Sequence, residues 1–149
     1  MGFDPLSHQL PQWCQALLKN AQELLLASNP DYFKPLFDSK GDSYFNQLTI
    51  YKYLPGQGIA PHVDSTTSFD SLILIISLIS SLVMEFALLD QSSKIEIVIP
   101  ARSLLVLSGD CRYKYTHSIR DRKIDVVEGL VIERHERISL TFRRLNPTI

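Results

Sequence analysis

From Phe45 to the end of the chain, apolar side chains recur at every second residue in short bursts, separated by polar stretches that carry glycine and proline. A period of two belongs to β-strands with one face buried. The bursts predict strands at 46–53, 72–79, 82–89, 95–99, 103–107, 112–118, 123–127 and 137–144, with Pro55-Gly56-Gln57-Gly58 and Pro100 as breaks. Before Phe45 the period changes. Trp13, Ala16, Leu17, Ala21, Leu24 and Leu25 form the stripe of an amphipathic helix over 11–26. Pro11 sits where a first helical turn tolerates it, and Ser28-Asn29-Pro30-Asp31 ends the helix. Residues 31–45 are polar and irregular, with a turn at Gly41-Asp42. One helix followed by many short strands predicts a mainly β domain, a β-sandwich or jelly roll with an N-terminal helical lead.

Length and composition narrow this picture. A chain of 149 residues with 45% hydrophobic side chains suits one domain with its own core. We expect a helical lead over 1–44 and a β core over 45–145. Cys14 and Cys111 are too few for a disulfide scaffold. The apolar run Leu72 to Met84 is too short for a bilayer span of roughly 20 residues and reads as a core strand pair. No signal peptide is visible at Met1-Gly2-Phe3-Asp4-Pro5, so an intracellular protein, cytoplasmic or nuclear and without a membrane anchor, is expected. Charge is uneven. Residues 1–111 carry 6 basic and 11 acidic side chains, whereas residues 112–149 carry 9 basic and 5 acidic ones. The basic excess permits a local anionic partner; scattered solvated charge is the alternative.

The candidate chemistry begins at His62-Val63-Asp64. In an extended strand, residues two apart leave on one face, so an imidazole and a carboxylate converge. The preceding Gly/Pro turn places them at a strand mouth. His117, in the alternating stretch Tyr113 to His117, offers a second imidazole. Two histidines and one carboxylate on one side of a metal leave open positions and suit non-haem Fe(II) oxygen chemistry. A structural role for the histidines is the competing reading. His8 and His135 look like solvated surface residues. Arg137 and Arg143 share a strand face with Ser139 and Thr141, opposite Ile138, Leu140 and Phe142. That polar face could grip a dicarboxylate, since arginine recognises carboxylates in a planar, bidentate manner. Tyr51 and Tyr53 also share a face, where they either pack in the core or line the pocket.

Taken together, Tyr53 to Asp64, Arg102 to Gly109, Arg112-Tyr113 with His117-Ser118-Ile119, and Arg137 to Arg143 resemble, in order and spacing, the AlkB family of Fe(II)/2-oxoglutarate dioxygenases. The resemblance covers roughly residues 45–145. Pro55-Gly56-Gln57-Gly58-Ile59, Ser68-Phe69-Asp70 and Val83-Met84-Glu85-Phe86 are most similar to the branch that hydroxylates the wobble uridine of tRNA. It implies a double-stranded β-helix (jelly-roll) fold, with His62, Asp64 and His117 as iron ligands and Arg137 on the distal carboxylate of 2-oxoglutarate. Arg143 and Tyr53 would support the co-substrate, and dioxygen would complete the reactants. Oxidative decarboxylation would give succinate and carbon dioxide while a C–H bond of a nucleobase substituent is hydroxylated. Carbon on nitrogen would then leave as formaldehyde, whereas a carbon-linked side chain would keep its alcohol.

Three departures accompany the resemblance. Tyr51 stands where the family has an asparagine on 2-oxoglutarate, and Ile79 replaces a glycine. The animal wobble-uridine enzymes also carry an RNA-recognition module and a methyltransferase domain, and these 149 residues hold neither. Two other readings of the same donors remain: a zinc hydrolase that activates water, and a non-catalytic AlkB-like binding module. The expected substrate is RNA, tRNA first, or DNA. Arg112, Lys114, Arg120, Arg122, Lys123 and Arg134 would gather around the segment of His117 to draw phosphates. A partner protein would supply the rest of the grip on RNA.

Overall fold

The computed structural model describes residues 10–34 and 44–146; His8 and the expected turn at Gly41-Asp42 lie outside them. Helix α1 spans Gln12–Ser28 and a short α2 spans Pro30–Phe33. The strands are β1 (Gln47–Tyr53), β2 (Ile59–His62), β3 (Ile73–Leu78), β4 (Leu82–Leu88), β5 (Lys94–Ile99) and β6 (Ser103–Leu107). A single helical segment, α3 (Gly109–Tyr113), precedes β7 (Tyr115–Ile119), β8 (Ile124–Val127), β9 (Leu130–Glu133) and β10 (Arg137–Arg143). They form two four-stranded antiparallel sheets, ordered β1-β10-β3-β6 and β2-β7-β4-β5, and the hairpin β8-β9. This is the jelly roll that the strand spacing predicts.

β3 shows why the apolar run is continuous. Ile73 and Ile75 point between the sheets, where they join Leu82, Met84, Phe86, Ile99, Leu107 and Ile119. Leu74 and Ile76 point the other way and pack with Leu140 and Phe142 beneath α1. A strand buried on both faces has no polar side to alternate with. The helix itself is rotated from the expected stripe. Cys14, Leu18, Ala21 and Leu25 are buried, whereas Trp13, Ala16 and Leu24 lie in solvent. Ala21 and Leu25 belong to the expected stripe and Leu17 packs at its edge, but spacings of 4, 3 and 4 through Cys14 set the buried face, so the stripe is shifted rather than replaced.

Two strands have no counterpart in the expected set, and one expected strand divides. β2 is four residues long and carries Pro61, so it shows little alternation. It lies close to β7: a side chain at Gly58 would place its Cβ 2.0 Å from the carbonyl oxygen of Ile119. β9 returns from β8 through Glu128 and Gly129, both at positive φ (49° and 81°), the geometry of a tight hairpin turn. The expected strand at 112–118 begins as α3 and becomes β7 only at Tyr115.

The hairpin is fixed by a fully buried carboxylate. Asp125 accepts from the Val83 amide at 2.9 Å, from Arg134 at 2.7 Å through both Nε and Nη2, and from Arg122 Nε at 2.5 Å. Burial pushes its carboxyl up, but these donors outweigh it and hold it below the ordinary carboxylate range.

The turn between β3 and β4 is strained. Ile79 has φ +79°, and the Ser80 amide donates to the Leu78 carbonyl at 3.1 Å across it. This is a γ-turn of the rare sign, and a β-branched residue fits it badly. Such strain costs about 1–3 kcal/mol, and glycine in its place loses about 0.5–1 kcal/mol in chain entropy. Ile79→Gly is therefore expected to stabilise the protein by about 1 kcal/mol, read as a higher urea midpoint at an unchanged slope. A lower midpoint would show that the turn is not strained.

Candidate metal and co-substrate site

In the antiparallel pair β2-β7, His62 stands directly opposite His117, and their ring centroids are 4.3 Å apart. His62 Nδ1 lies 2.8 Å from the Ala60 carbonyl oxygen. Nδ1 is thus assigned as the donor, which turns Nε2 inward. Asp64 lies just beyond the end of β2, so the strand alternation expected for His62 and Asp64 does not itself place the carboxylate. Side chains from elsewhere do. Arg143 Nε donates to Asp64 Oδ2 at 2.6 Å, while Arg143 Nη1 donates to Thr49 Oγ1 at 2.9 Å and Gln47 Oε1 at 3.2 Å. The other carboxylate oxygen, Oδ1, is 3.3 Å from His62 Nε2 and 3.9 Å from His117 Nε2.

The three ligand atoms lie within 4.8 Å of one another. Donors that bind one first-row metal at about 2.0–2.2 Å stand about 3 Å apart when at right angles, so a small closure suffices. The protonation states fit as well. Burial pushes Asp64 up, yet the hydrogen bonds from His62 and Arg143 prevail and hold it well below the carboxylate range. Burial, then the charge of His62, pushes His117 down to about 4. Its contact with Asp64 pulls His62 up against burial. A buried anion facing a neutral imidazole and a second, Asp64-bound imidazole is a donor set for a divalent cation.

Arg137 differs from every other buried arginine described here. It is 1% exposed, its Nε donates to Ser77 Oγ at 2.8 Å, and its guanidinium lies 5.5 Å from the centre of the Tyr53 ring. Its Nη1 and Nη2 are buried without a hydrogen-bond partner among the described residues. Burial lowers its pKa from the ordinary arginine value. Two unsatisfied guanidinium nitrogens aimed into a cavity ask for a carboxylate. The cavity is lined by Arg137, Ser139, Thr141 and Arg143 on one side, by His62 and His117, and by Ile59, Ile75, Met84 and Ile119. Tyr51 and Tyr53 complete it, with ring centroids 6.1 Å apart.

The structure thus gathers His62, Asp64, His117, Arg137, Arg143, Tyr53 and Tyr51 around one cavity. Arg143 Nε and Nη1 already serve Asp64, Gln47 and Thr49. His135 is exposed. The expected phosphate-drawing cluster divides: Arg112 and Arg134 are buried, Arg122 is half-buried, and Lys114, Arg120 and Lys123 are exposed. Arg112 is buried on backbone carbonyls, and Arg134 and Arg122 bind Asp125. Arg120 pairs with Glu85, and Lys114 with Asp110 at 3.1 Å. Lys123 is exposed. A net count of charges could not show that Arg112 and Arg134 are spent inside the fold, nor that Arg120 and Lys114 have acidic neighbours at the surface. Ser77, Thr49 and Gln47 were missed, since each acts through a contact made across strands far apart in sequence; Arg112, expected to draw phosphates, instead holds backbone carbonyls.

Two outcomes follow from the geometry. In Gly58→Ala the methyl group must displace the Ile119 backbone, which shifts β2 against β7; metal affinity should fall with thermal stability. Unchanged metal binding in a folded Gly58→Ala would show that the β2-β7 register does not set the site. Arg137→Met should leave the unliganded protein at least as stable, because an unsatisfied buried polar group costs about 1–3 kcal/mol. The same variant should lose about 3–5 kcal/mol of 2-oxoglutarate binding. Calorimetry with a redox-inert metal checks both, and an unliganded Arg137→Met much less stable than wild type would contradict the unpaired guanidinium.

The 2OG-Fe(II) oxygenase superfamily profile matches residues 3–143. The chain is 37% identical over 158 aligned residues to the tRNA (carboxymethyluridine(34)-5-O)-methyltransferase alkbh8 of Xenopus tropicalis, a match covering 95% of this chain and 23% of that protein. It is 34% identical over 133 residues to the alkylated DNA repair protein ALKBH8 homolog of Arabidopsis thaliana, covering 76% of this chain and 38% of that one. The chain therefore spans less than half the length of these relatives. The solved structure of OsALKBH1 superposes with a TM-score of 0.62 at 16% identity, over 91% of this chain and 64% of that one, a likeness of fold. The chain belongs to the 2OG-Fe(II) oxygenase superfamily, is AlkB-like within it, and so falls among the dioxygenases whose cofactors are Fe(II), 2-oxoglutarate and dioxygen.

Proposed function

We propose that this domain oxidises a substituent on a nucleobase in RNA, tRNA first, with Fe(II) held by His62 Nε2, Asp64 Oδ1 and His117 Nε2. The observation that carries the reading is that Arg137, with two unpartnered nitrogens, lines one cavity with His62 and His117, whose ring nitrogens converge with Asp64. Bound there, Fe(II) supplies the redox chemistry that couples decarboxylation of 2-oxoglutarate to hydroxylation of a C–H bond. The protein's own part is binding and orientation. Arg137 takes the distal carboxylate of the co-substrate, with Ser77 holding its Nε so that both Nη groups face the ligand. Tyr53 lies against the same guanidinium, and Tyr51 fills the place of the family's asparagine. Arg143 keeps Asp64 ionised and aimed at the metal. The Ile59, Ile75, Met84 and Ile119 side chains keep water from the reacting centre.

The names of the vertebrate relatives support tRNA, and that of the plant relative supports alkylated DNA as the second substrate. Because Arg112 and Arg134 are buried and Arg120, Arg122 and Lys114 are paired with acidic side chains, the domain by itself should grip RNA weakly. The remaining grip would come from a partner subunit or from further parts of a longer protein, in an intracellular compartment. Among the described residues no helix is long and apolar enough to cross a membrane.

The test is oxidation of total tRNA and of methylated RNA and DNA oligonucleotides with Fe(II), 2-oxoglutarate and air, read by mass spectrometry of the nucleoside digest. Succinate and an oxidised or demethylated nucleoside should appear together, and His117→Ala should abolish both. Equal activity with zinc and without 2-oxoglutarate would instead establish a hydrolase. Succinate formed without any altered nucleoside would overturn the nucleic-acid substrate.

A further inference from the structure

The carboxylate Asp64 stands outside the strand ladder, on the segment 64–70 that follows β2. Its far end pairs with the C-terminal stretch, where the Asp70 amide donates to the Arg144 carbonyl at 2.9 Å and Asn146 Nδ2 to the Thr67 carbonyl at 2.7 Å. The side chain that ties its near end down, at Asp64 itself, is Arg112 of α3, five residues before His117. Arg112 is 2% exposed and makes no ion pair among the described residues. Its Nη1 donates to the Asp64 carbonyl oxygen at 2.8 Å, and its Nη2 to those of Ser65 at 2.9 Å and Phe69 at 3.4 Å. Its Nε donates to the Asp70 carbonyl oxygen at 3.4 Å. One guanidinium therefore joins both ends of the segment.

Within the segment, Ser65 Oγ accepts from the Ser68 amide at 3.0 Å and donates to Ser68 Oγ at 2.8 Å. At its far end, the Phe69 ring lies 4.9 Å from the guanidinium of Arg143, the same group that holds Asp64 Oδ2. Asp64 is thus gripped twice: Arg112 fixes its backbone and Arg143 its side chain.

We propose that Arg112 is the positioning residue of the carboxylate ligand, and that its grip on segment 64–70 sets metal affinity by holding Asp64 Oδ1 at the two imidazoles. This rests on the assignment of His62, Asp64 and His117 as the metal ligands. The chemistry requires arginine. A planar fork with five N–H donors reaches four carbonyl oxygens around its rim, whereas a lysine ammonium is a point donor that reaches one or two. A loop held only by weaker contacts would leave the carboxylate mobile, and the metal would have to order it on binding. The co-substrate's carboxylate site at Arg137 is on β10, in the other sheet, and does not depend on this clasp.

The test compares the full chain with Arg112→Lys and with Asp125→Asn, whose lost stability arises at the β8-β9 hairpin. Anaerobic titration with Co(II) measures metal affinity, calorimetry at saturating Co(II) measures 2-oxoglutarate affinity, and hydrogen exchange reads the amides of residues 64–70. Arg112→Lys should weaken Co(II) binding by about tenfold or more, while Asp125→Asn stays within about twofold. Exchange in 64–70 should quicken in Arg112→Lys alone, and its 2-oxoglutarate affinity at saturating metal should match wild type. Unchanged Co(II) affinity in Arg112→Lys, or an equal loss in Asp125→Asn, would overturn the positioning role. A wild-type protein that binds no Co(II) would instead overturn the ligand assignment on which it rests.

Discussion

The constraint on which the site depends is the pairing of β2 with β7, which sets His62 across from His117. It is enforced at Gly58, where the two backbones approach too closely for any side chain. A slip of one residue would turn one imidazole to the opposite face of the sheet and leave the other alone. Once the register is fixed, the first two donors are fixed with it, and only the carboxylate needs further placement. The fold supplies that placement from both sheets: Arg143 reaches across from β10, and Arg112 reaches back from α3.

The buried arginines show what each part of the interior is built to hold. Arg134 is satisfied by Asp125, Arg143 by Asp64, and Arg112 by backbone carbonyls. Arg137 has one partner, Ser77, and two buried nitrogens with none among the described residues. Burying a guanidinium is costly, and leaving it half paired is more so. A guanidinium left half paired beside a cavity is the feature on which the proposed anion site rests.

Much of this was legible in the sequence, and the exceptions have physical causes. Strands with alternating or continuously apolar character, such as β3, β4 and β10, were clear because burial writes a period into the chain. β2 was not, because Pro61 and the bare Gly58 replace pattern with close approach. The helix α1 was clear as a helix, but two stripes competed and the exposed one held the tryptophan. His62, Asp64 and His117 were legible as a combination of motifs, although Asp64 sits in a loop rather than on the strand face that suggested it. The partners of Arg137 and Arg143 were not legible. Ser77 lies inside an apolar run 60 residues away from Arg137, and Asp64 lies 79 residues away from Arg143. The β3-β10 pairing brings Ser77 to Arg137, and the packing of the segment after β2 against β10 brings Asp64 to Arg143.

The most direct test of the central claim is a crystal structure of the protein with Mn(II) and 2-oxoglutarate, grown without oxygen, with the metal located by its anomalous scattering. The account predicts one metal bonded to His62 Nε2, Asp64 Oδ1 and His117 Nε2, and the distal carboxylate of 2-oxoglutarate against Arg137 Nη1 and Nη2. A metal at any other set of side chains, or a co-substrate whose distal carboxylate leaves those two nitrogens unpaired, would contradict it.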